Sequence, residues 1–283
     1  MRSKFLISLI FLVGGFSEAP AWNATGHMVI ADIALARLAP RVKIECNKLL
    51  AEVPAKNANT FIDCASWADN VRTKSTAPWH YIDQYFRADG APTKLQPEPQ
   101  NVVWAIQHFS AILKNRSQSE ANRAEALRFL IHFVGDIHQP LHCASRVTHD
   151  QPNGDKGGND FYFSHPDGSS RPHELHYLWD EGGGLFTRIR RPVSANARIK
   201  IDTLAQEAIA TFRSSSKSPE TSDSNPMDWA KEGLRIAKTK VYSTPEFQEP
   251  SESYVKMVRT ISLKRVAIAG IRLANLLNKL LSS

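Results

Sequence analysis

The sequence predicts a mainly α-helical protein, and three observations support this fold class. Apolar residues recur at three- and four-residue intervals along most of the chain, as in helices buried on one face. The period-two alternation typical of strands is scarce. Two stretches rich in loop-forming residues, 88–100 and 214–226, do not separate halves that could fold alone. Because 283 residues with 42% hydrophobic content can bury one large core, we expect a single domain over residues 22–283.

Six segments carry the helical periodicity, and each is long enough for more than two turns. They are residues 29–38, 102–113, 121–134, 199–212, 229–241 and 253–281. The best candidate for β-structure is residues 160–163, where aromatic residues follow Gly157 and Gly158. We therefore expect a helical bundle with at most a short β-hairpin.

The N-terminal segment has the features of a secretory signal peptide. Two basic residues precede an apolar run over residues 5–16, and the small residues Ala-Pro-Ala follow, ending at Ala21. The apolar run is too short for a membrane-spanning helix, which needs about 20 residues; a retained anchor is the alternative. Cleavage of residues 1–21 after Ala21 would leave Trp22 as the N-terminus of a secreted or periplasmic protein.

Net charge and cysteine content say less about the function than these sequence patterns do. The formal net charge is +7, and a basic surface attracts polyanions such as nucleic acid, although here the charge is spread along the chain. Three cysteines, Cys46, Cys64 and Cys143, allow at most one internal disulfide, and their spacing is not that of a zinc finger. The sequence does not decide which pair would form it.

Two His/Asp pairs suggest a metal site. His132 and Asp136 are four residues apart, as are His176 and Asp180, so each pair lies on one face of a helix. One such pair is commonly accidental, but two pairs flanked by apolar and aromatic residues are costly to bury without a shared partner. His138 has a different direction on the helix, which favours a hydrogen-bonded core histidine.

Further histidines and aspartates lie in short motifs elsewhere in the chain. They are His27, Asp69, His80, Asp83 and His142, the last of which follows the helix-ending Pro140. The combined donors are imidazole nitrogens and carboxylate oxygens without sulfur. This mixture suits Zn²⁺ in hydrolytic sites.

Six motifs give these residues a common context: WNATGH, SWADNVR, WHYID, HFVGDIHQPLH, GGND and LHYLWD, in this order. Together they resemble the zinc-dependent single-strand nucleases of fungi and plants, the 3′-nucleotidase/nucleases, which are related to the zinc-dependent bacterial phospholipases C. The resemblance extends over nearly the whole chain after residue 21. It implies a helical fold of the phospholipase C/nuclease type built around three zinc ions.

The resemblance also implies a ligand set for each zinc ion. For the first ion it gives Asp69, His80, His132 and Asp136. For the second it gives His142, His176 and Asp180. For the third it gives the free amine and carbonyl oxygen of Trp22, His27 and a shared oxygen of Asp136.

Three further residues match substrate-handling positions of the family. Asp83 resembles the carboxylate that orients or deprotonates the attacking water, although a capping role is the alternative. Arg72 resembles a basic residue near the scissile phosphate, where a guanidinium offers two parallel donors; an exposed ion pair is the alternative. Asn159, in GGND, resembles an asparagine of the substrate site, but without the family the same glycines indicate only a turn.

We therefore expect an exported enzyme that hydrolyses single-stranded DNA and RNA to 5′-nucleotides, with 3′-nucleotidase activity in addition. Two alternatives remain: a zinc-dependent phospholipase C, and a zinc-binding protein without catalysis. Asp180 as the last ligand and the motifs SWADNVR and GGND favour the nuclease. Unpaired bases could stack on aromatic residues near the metals. The candidates, each of which could instead belong to the core, are Trp79, Tyr81, Phe86 and Tyr162.

Overall fold

A computed structural model of the protein describes residues 22–163, 174–215 and 224–282. Helices dominate these ranges, in agreement with the predicted fold class. The nine α-helices found there are α1 (Ala24–Leu35), α2 (Pro40–Glu52), α3 (Trp67–Val71), α4 (Val102–Lys114), α5 (Glu120–Asp136), α6 (Leu175–Asp180), α7 (Ala195–Ser215), α8 (Pro226–Thr239) and α9 (Glu252–Leu281). None of the helices in the described ranges has the length and apolar character needed to cross a membrane.

Helix α1 begins two residues after Trp22 and lies in the centre of the fold. The side chain of Asn23 caps it by accepting hydrogen bonds from the amides of Thr25 and Gly26. The helix packs against α5, α7 and α9, and its residues from Thr25 to Ala34 are all buried. A helix surrounded in this way is apolar on every side, which makes the polar side chain of His27 within it conspicuous.

Close contact between α1 and α9 depends on a glycine. A Cβ atom on Gly270 would lie 2.5 Å from the Cγ2 atom of Ile33 and 2.9 Å from the carbonyl oxygen of Ile30. Both distances are shorter than a van der Waals contact, so only glycine permits this spacing. The long C-terminal helix therefore holds α1, and with it His27, firmly in the core.

Helix α5 carries polar residues into the core from its second half. Ser119 caps its first turn by accepting from the amide of Asn122, and Pro140 begins the 3₁₀ turn that follows its last residues. Every residue from Ala126 to Asp136 is buried. The His132–Asp136 pair is therefore surrounded by protein.

The small sheet differs from the predicted hairpin. In the described residues it consists of β1 (Tyr85–Arg87) and β2 (Ser145–Val147), paired in parallel with Tyr85 opposite Ser145. Residues 160–163 contribute only an isolated antiparallel bridge between Tyr162 and Glu174. Strand β1 follows the predicted ligand His80 and strand β2 follows His142, and both run in the same direction, so they pair in parallel. Because the two strands come from distant parts of the chain, local sequence does not reveal this pairing.

The remaining elements agree in part with the predictions made from the sequence. Residues 88–100 contain no helix or strand, as expected, whereas α7 begins four residues before the predicted position. Helix α2 was not predicted, because only four of its residues are buried and their pattern is weak. The signal peptide, residues 1–21, lies outside the described residues, as does most of the predicted 214–226 loop.

The three cysteines are free, buried thiols. Burial raises the pKa of Cys46, Cys64 and Cys143 to about 12 each, so none is a reactive thiolate at neutral pH. The disulfide that the sequence left open is not formed.

Candidate metal centre

All eight side chains that the sequence suggested as metal ligands lie in three groups in the interior of the protein. Within each group the potential ligand atoms lie within 4.8 Å of one another. The groups are His27, His132 and Asp136; Asp69, His80 and His132; and His142, His176 and Asp180. We call them the first, second and third His/Asp groups.

Asp136 joins the first two groups. Its Oδ1 atom lies 3.2 Å from Nε2 of His27, and its Oδ2 atom lies 3.0 Å from Nδ1 of His80 and 3.3 Å from Nε2 of His132. Asp69 completes the second group from α3, with Oδ1 3.3 Å from Nε2 of His132. A carboxylate with one oxygen facing each group is suited to bridge two cations.

The third group combines the turn after α5 with helix α6. Nε2 of His142 lies 3.1 Å from Nε2 of His176, which lies 3.4 Å from Oδ2 of Asp180. Two imidazole nitrogens that face each other at this distance, beside a carboxylate, are arranged to share a partner. The i, i+4 spacing on α6 places His176 and Asp180 on the same face, as predicted.

Backbone carbonyls orient three of the imidazoles. The Nδ1 atoms of His132, His142 and His176 lie 2.7 to 2.8 Å from the carbonyl oxygens of Ala65, His80 and Gly157, respectively. Donation from Nδ1–H to a carbonyl leaves the Nε2 lone pair available, which is the usual arrangement around metal-binding histidines. The segments that supply these carbonyls therefore fix the direction of each ring.

Gln139 is a residue of the site that the sequence analysis missed. It is fully buried; its Nε2 donates to Oδ1 of Asp180 at 2.7 Å, and its Oε1 accepts from the amide of Leu141 at 2.6 Å. The amide thus links the turn after α5 to helix α6 and leaves Oδ2 of Asp180 for the third group. Its position inside the motif DIHQPLH was the only available signal.

Buried polar atoms without hydrogen-bonding partners indicate that these groups are suited to bind a metal ion. Both ring nitrogens of His27 and one carboxylate oxygen each of Asp69 and Asp136 are buried without a hydrogen bond in the described structure. Such atoms are rare in folded proteins, and a cation would satisfy nitrogen and oxygen donors together. The ring of His27 also depends on Gly135, since a Cβ atom there would lie 2.6 Å from its Nδ1.

The protonation states of the side chains in the third group also favour the binding of a cation. Burial lowers the pKa of His142 to about 4 and that of His176 to about 3, so both rings are neutral, as ligands must be, at neutral pH. Burial raises the pKa of Asp180 well above its ordinary value. A positive ion beside Asp180 would therefore favour its ionised form.

The first two groups hold their carboxylates in the ionised form. Burial alone would raise the pKa of Asp136, but His132 and its other imidazole neighbours outweigh it and hold the pKa well below the ordinary value. Burial likewise opposes ionisation of Asp69, yet the same neighbours lower its pKa to about 2. Both carboxylates are thus anionic throughout the neutral pH range.

Of the three predicted substrate-handling residues, Asn159 lies beside the third group. Asn159 lies with its Nδ2 3.2 Å from Nδ1 of His176 and donates to the carbonyl of Lys156 at 2.7 Å. Burial and the neighbouring His142 lower the pKa of His176, and the positive charge of Arg72 adds to this effect. Arg72 itself is half-buried at the end of α3.

Asp83 is half-buried in the segment that connects His80 to β1. The amide of the preceding residue, Ile82, donates to the carbonyl of His142 at 2.8 Å, which joins this segment to the third group. After burial, the charge of Asp83 contributes to the raised pKa of Tyr85. Asp83 therefore follows His80 of the second group by three residues and lies next to the backbone contact between Ile82 and His142 of the third group.

Two remaining predictions concern Trp22 and His138. Trp22 is fully buried, with its ring 5.6 Å from that of Phe186, and lies five residues before His27. His138 is buried, with Nδ1 2.7 Å from the carbonyl oxygen of Val134 and Nε2 3.0 Å from Arg272. It is a hydrogen-bonded core histidine, as the sequence predicted.

Three adjoining groups of imidazole and carboxylate side chains, held by helices, are typical of metal-dependent hydrolases. Within this class, the sequence model of the family described as S1/P1 Nuclease matches residues 22–282. The chain belongs to the S1/P1 nuclease family, whose members depend on metal ions. It is a hydrolase with nuclease function.

Named relatives agree with this assignment. Endonuclease 2 of Arabidopsis thaliana is 27% identical over 293 residues, which cover 97% of this chain and 96% of the relative. Nuclease P1 of Penicillium citrinum is 32% identical over 132 residues, covering 43% and 47% of the two chains. Nuclease S1 of Aspergillus oryzae is 28% identical over 170 residues, covering 56% and 53%.

Proposed function

We propose that this protein is an exported, zinc-dependent phosphodiesterase that hydrolyses single-stranded DNA and RNA to 5′-nucleotides and also removes 3′-phosphates from nucleotides. The observation that carries the proposal is the convergence of eight His and Asp side chains from separate segments into three adjoining groups. The names of the relatives, nucleases P1 and S1 among them, support the same activity. Export would follow cleavage after Ala21.

The donors are sufficient for three zinc ions. The second group together with Asp136 would hold one ion, the third group another, and His27 with Asp136 and the amine and carbonyl oxygen of Trp22 the last. The chemistry that zinc supplies at such a site is Lewis acidity, which makes water more acidic and neutralises charge on phosphate oxygens. Cleavage before Trp22 would be required, because only a free amine can act as a ligand.

The remaining chemistry depends on polar side chains around the third group. Asp83 would accept a proton from the attacking water or fix its direction, as a carboxylate general base can. The guanidinium of Arg72 would donate two parallel hydrogen bonds to the phosphate, and the amide of Asn159 would donate to the phosphate or to a base edge. Each of these three side chains would bind the substrate, orient it or move a proton.

The proposal is tested by substrate comparison with the processed protein. Single-stranded DNA, single-stranded RNA, duplex DNA and phosphatidylcholine micelles would be incubated with zinc-loaded protein and with protein treated with a chelator. We expect cleavage of the single strands to products with 5′-phosphates, loss of activity on chelation and recovery on addition of zinc. Preferential hydrolysis of phosphatidylcholine would indicate a phospholipase C, and zinc binding with no hydrolysis of any substrate would indicate a non-catalytic protein.

A further inference from the structure

A basic segment without a part in the proposed reaction connects helix α6 to the first turns of helix α7. Residues 188–200 contain five basic side chains and no acidic one. The basic residues are Arg188, Arg190, Arg191, Arg198 and Lys200. Charges of one sign that are close together create a positive potential, which attracts polyanions.

Hydrogen bonds fix the start of the basic segment against helix α1. The hydroxyl of Thr25 donates to the carbonyl of Thr187 at 2.9 Å and accepts from the amide of Ile189 at 3.1 Å. Thr25 is buried and lies two residues before His27 in the first turn of the helix. The backbone of Arg188, between the two bonded residues, is therefore held next to the turn that carries a predicted metal ligand.

The middle of the segment is bound to the turn before helix α3. The amide of Val193 donates to Oδ1 of Asp63 at 3.0 Å, and the guanidinium of Arg191 donates to the carbonyl of Asp63 at 3.2 Å. Asp63 lies two residues before Ala65, whose carbonyl oxygen is 2.7 Å from Nδ1 of His132. The segment thus extends from α1 to the turn before α3, and both of these elements position predicted ligands.

Three of the five basic side chains are exposed: Arg188, Arg190 and Lys200. None of the three forms an ion pair within the described ranges of the chain, whereas Arg198 is paired with Asp32. The ammonium of Lys200 donates to the hydroxyl of Thr187, a neutral partner that leaves its charge uncompensated. This contact also brings Lys200 beside the backbone of Arg188, so the exposed charges lie on one part of the surface.

The chemistry of this surface favours a polynucleotide over a membrane. Phe186 and Ile189, the apolar residues that flank Arg188, are buried, so they do not offer a face that could insert among lipid chains. Ile199 is exposed, but one apolar side chain adds little membrane affinity. Guanidinium and ammonium groups bind phosphate oxygens without regard to base sequence, which suits a nuclease that acts on strands of many sequences.

We propose that Arg188, Arg190 and Lys200 form a phosphate-binding surface, which holds the backbone of a single strand outside the nucleotide that is being cleaved. This surface rests on the proposed nuclease function and extends it to the binding of long substrates. Because its contribution is electrostatic, it weakens as salt is added, by about 0.7 in the slope of log affinity against log salt concentration for each phosphate contact on a single strand.

The salt dependence of cleavage tests the surface. The kcat/KM for a single strand of about 15 nucleotides, near the upper end of single-strand site sizes, would be divided at each salt concentration by that for a small chromogenic phosphodiester. For Arg188→Gln/Arg190→Gln we expect the slope of this ratio against salt to be less steep by about 1.4, and for Lys200→Gln by about 0.7. The short substrate should be hydrolysed as by the wild type, because it does not reach the surface.

Lys114→Gln/Lys279→Gln is the matched control, because it removes two exposed charges from other elements. Lys114 ends helix α4, where Arg123 of the first turn of α5 donates to the carbonyl of Leu113 at 3.2 Å, and Lys279 lies in the last turn of α9. About nine residues of α5, roughly 13 Å of helix, separate Arg123 from His132. The control should keep the wild-type slope.

Equal slopes for Arg188→Gln/Arg190→Gln and the wild type would refute the surface, while single-strand cleavage by the wild type upheld the nuclease. A change of the same size in the control would show an effect of net charge and would also overturn it. If the wild type cleaves no single strand, both proposals fail. An unchanged slope with weaker binding to phosphatidylserine vesicles would assign the surface to a membrane instead.

Discussion

At the scale of single residues, the direction of four predicted ligands is set by a hydrogen-bonding partner outside their own His/Asp group. Carbonyl oxygens of Ala65, His80 and Gly157 orient three imidazoles, and the amide of Gln139 orients Asp180. Such partners commonly change metal affinity by 10- to 100-fold when removed. We therefore expect Gln139 to affect metal binding by orienting Asp180, although it is not a predicted ligand itself.

Replacing Gln139 by leucine tests this role. The change removes the donor to Oδ1 of Asp180 while keeping a buried side chain of similar size, so we expect zinc affinity to fall about 10- to 100-fold. Competition with a chromophoric chelator would measure it. Gln84→Leu is the control, because the amide of Gln84 donates to the carbonyls of Cys143 and Ala230 and touches no predicted ligand side chain. Affinity losses of the same size in both variants would contradict a specific role for Gln139.

Asp83 is the second residue whose role can be isolated. Asp83→Asn keeps the size of the side chain but removes its ability to accept a proton, so we expect kcat on single-stranded DNA to fall about 10²- to 10⁴-fold. The zinc content, measured by mass spectrometry, should not change. Asp150→Asn, at a side chain that is 95% exposed, should leave both quantities as in the wild type. Unaltered turnover in Asp83→Asn would remove Asp83 from the reaction.

The sequence singled out the eight candidate ligands but not the residues that orient them. His132 and Asp136 stand out because polar groups at helical spacing in an apolar segment demand a partner. Gln139 gives no such signal, since a glutamine beside a proline is ordinary in any turn.

At the scale of elements, helices α8 and α9 support the turn that carries His142. Glu232 of α8 accepts from Arg265 at 2.9 Å and from both terminal nitrogens of Arg272, at 2.7 and 2.8 Å. Both arginines are almost completely buried, and they in turn bind the carbonyl and ring of His138. This network of charges joins the two helices to the end of α5.

Removing Glu232 should therefore be costly. Glu232→Gln leaves two buried guanidinium groups without a carboxylate, and we expect a loss of about 3–5 kcal/mol in the free energy of unfolding. Chemical denaturation would measure it. Glu207→Gln, at an exposed position of α7, should cost little. A loss equally small in Glu232→Gln would show that the network does not stabilise the fold.

The ionisation of Glu232 also predicts how its contribution to stability depends on pH. Burial opposes ionisation of Glu232, but its hydrogen bonds from Arg272 and the charge of Arg265 lower its pKa overall. A carboxylate with a lowered pKa stabilises the folded state above its unfolded pKa and loses this contribution as the pH falls through the folded value. The difference in stability between the wild type and Glu232→Gln should therefore be largest at neutral pH and shrink in acid.

Helix positions were predictable to the extent that one apolar face is continuous. Helix α5, observed over Glu120–Asp136, differs little from the predicted residues 121–134 because its packing face is long and regular. Helix α2 has few buried residues, and the parallel strands β1 and β2 are three residues each. Their pairing follows from the placement of His80 and His142 in space, which no local pattern contains.

At the scale of the whole molecule, the predicted removal of the leader would complete the site. Trp22 is buried directly before α1, so its amine would enter the interior only when the preceding residues are gone. A protein that retains residues ahead of Trp22 should bind fewer zinc ions than the protein beginning at Trp22, with helix content unchanged by circular dichroism. Equal zinc content in the two forms would show that the amine is not a ligand.

We propose that the three His/Asp groups together form one polynuclear zinc site. The most direct test is a crystal of the processed protein, with diffraction recorded on both sides of the zinc absorption edge. We expect three anomalous peaks, one in each group, with Asp136 between two of them. Peaks at other positions, or none within these groups in a zinc-saturated crystal, would contradict it.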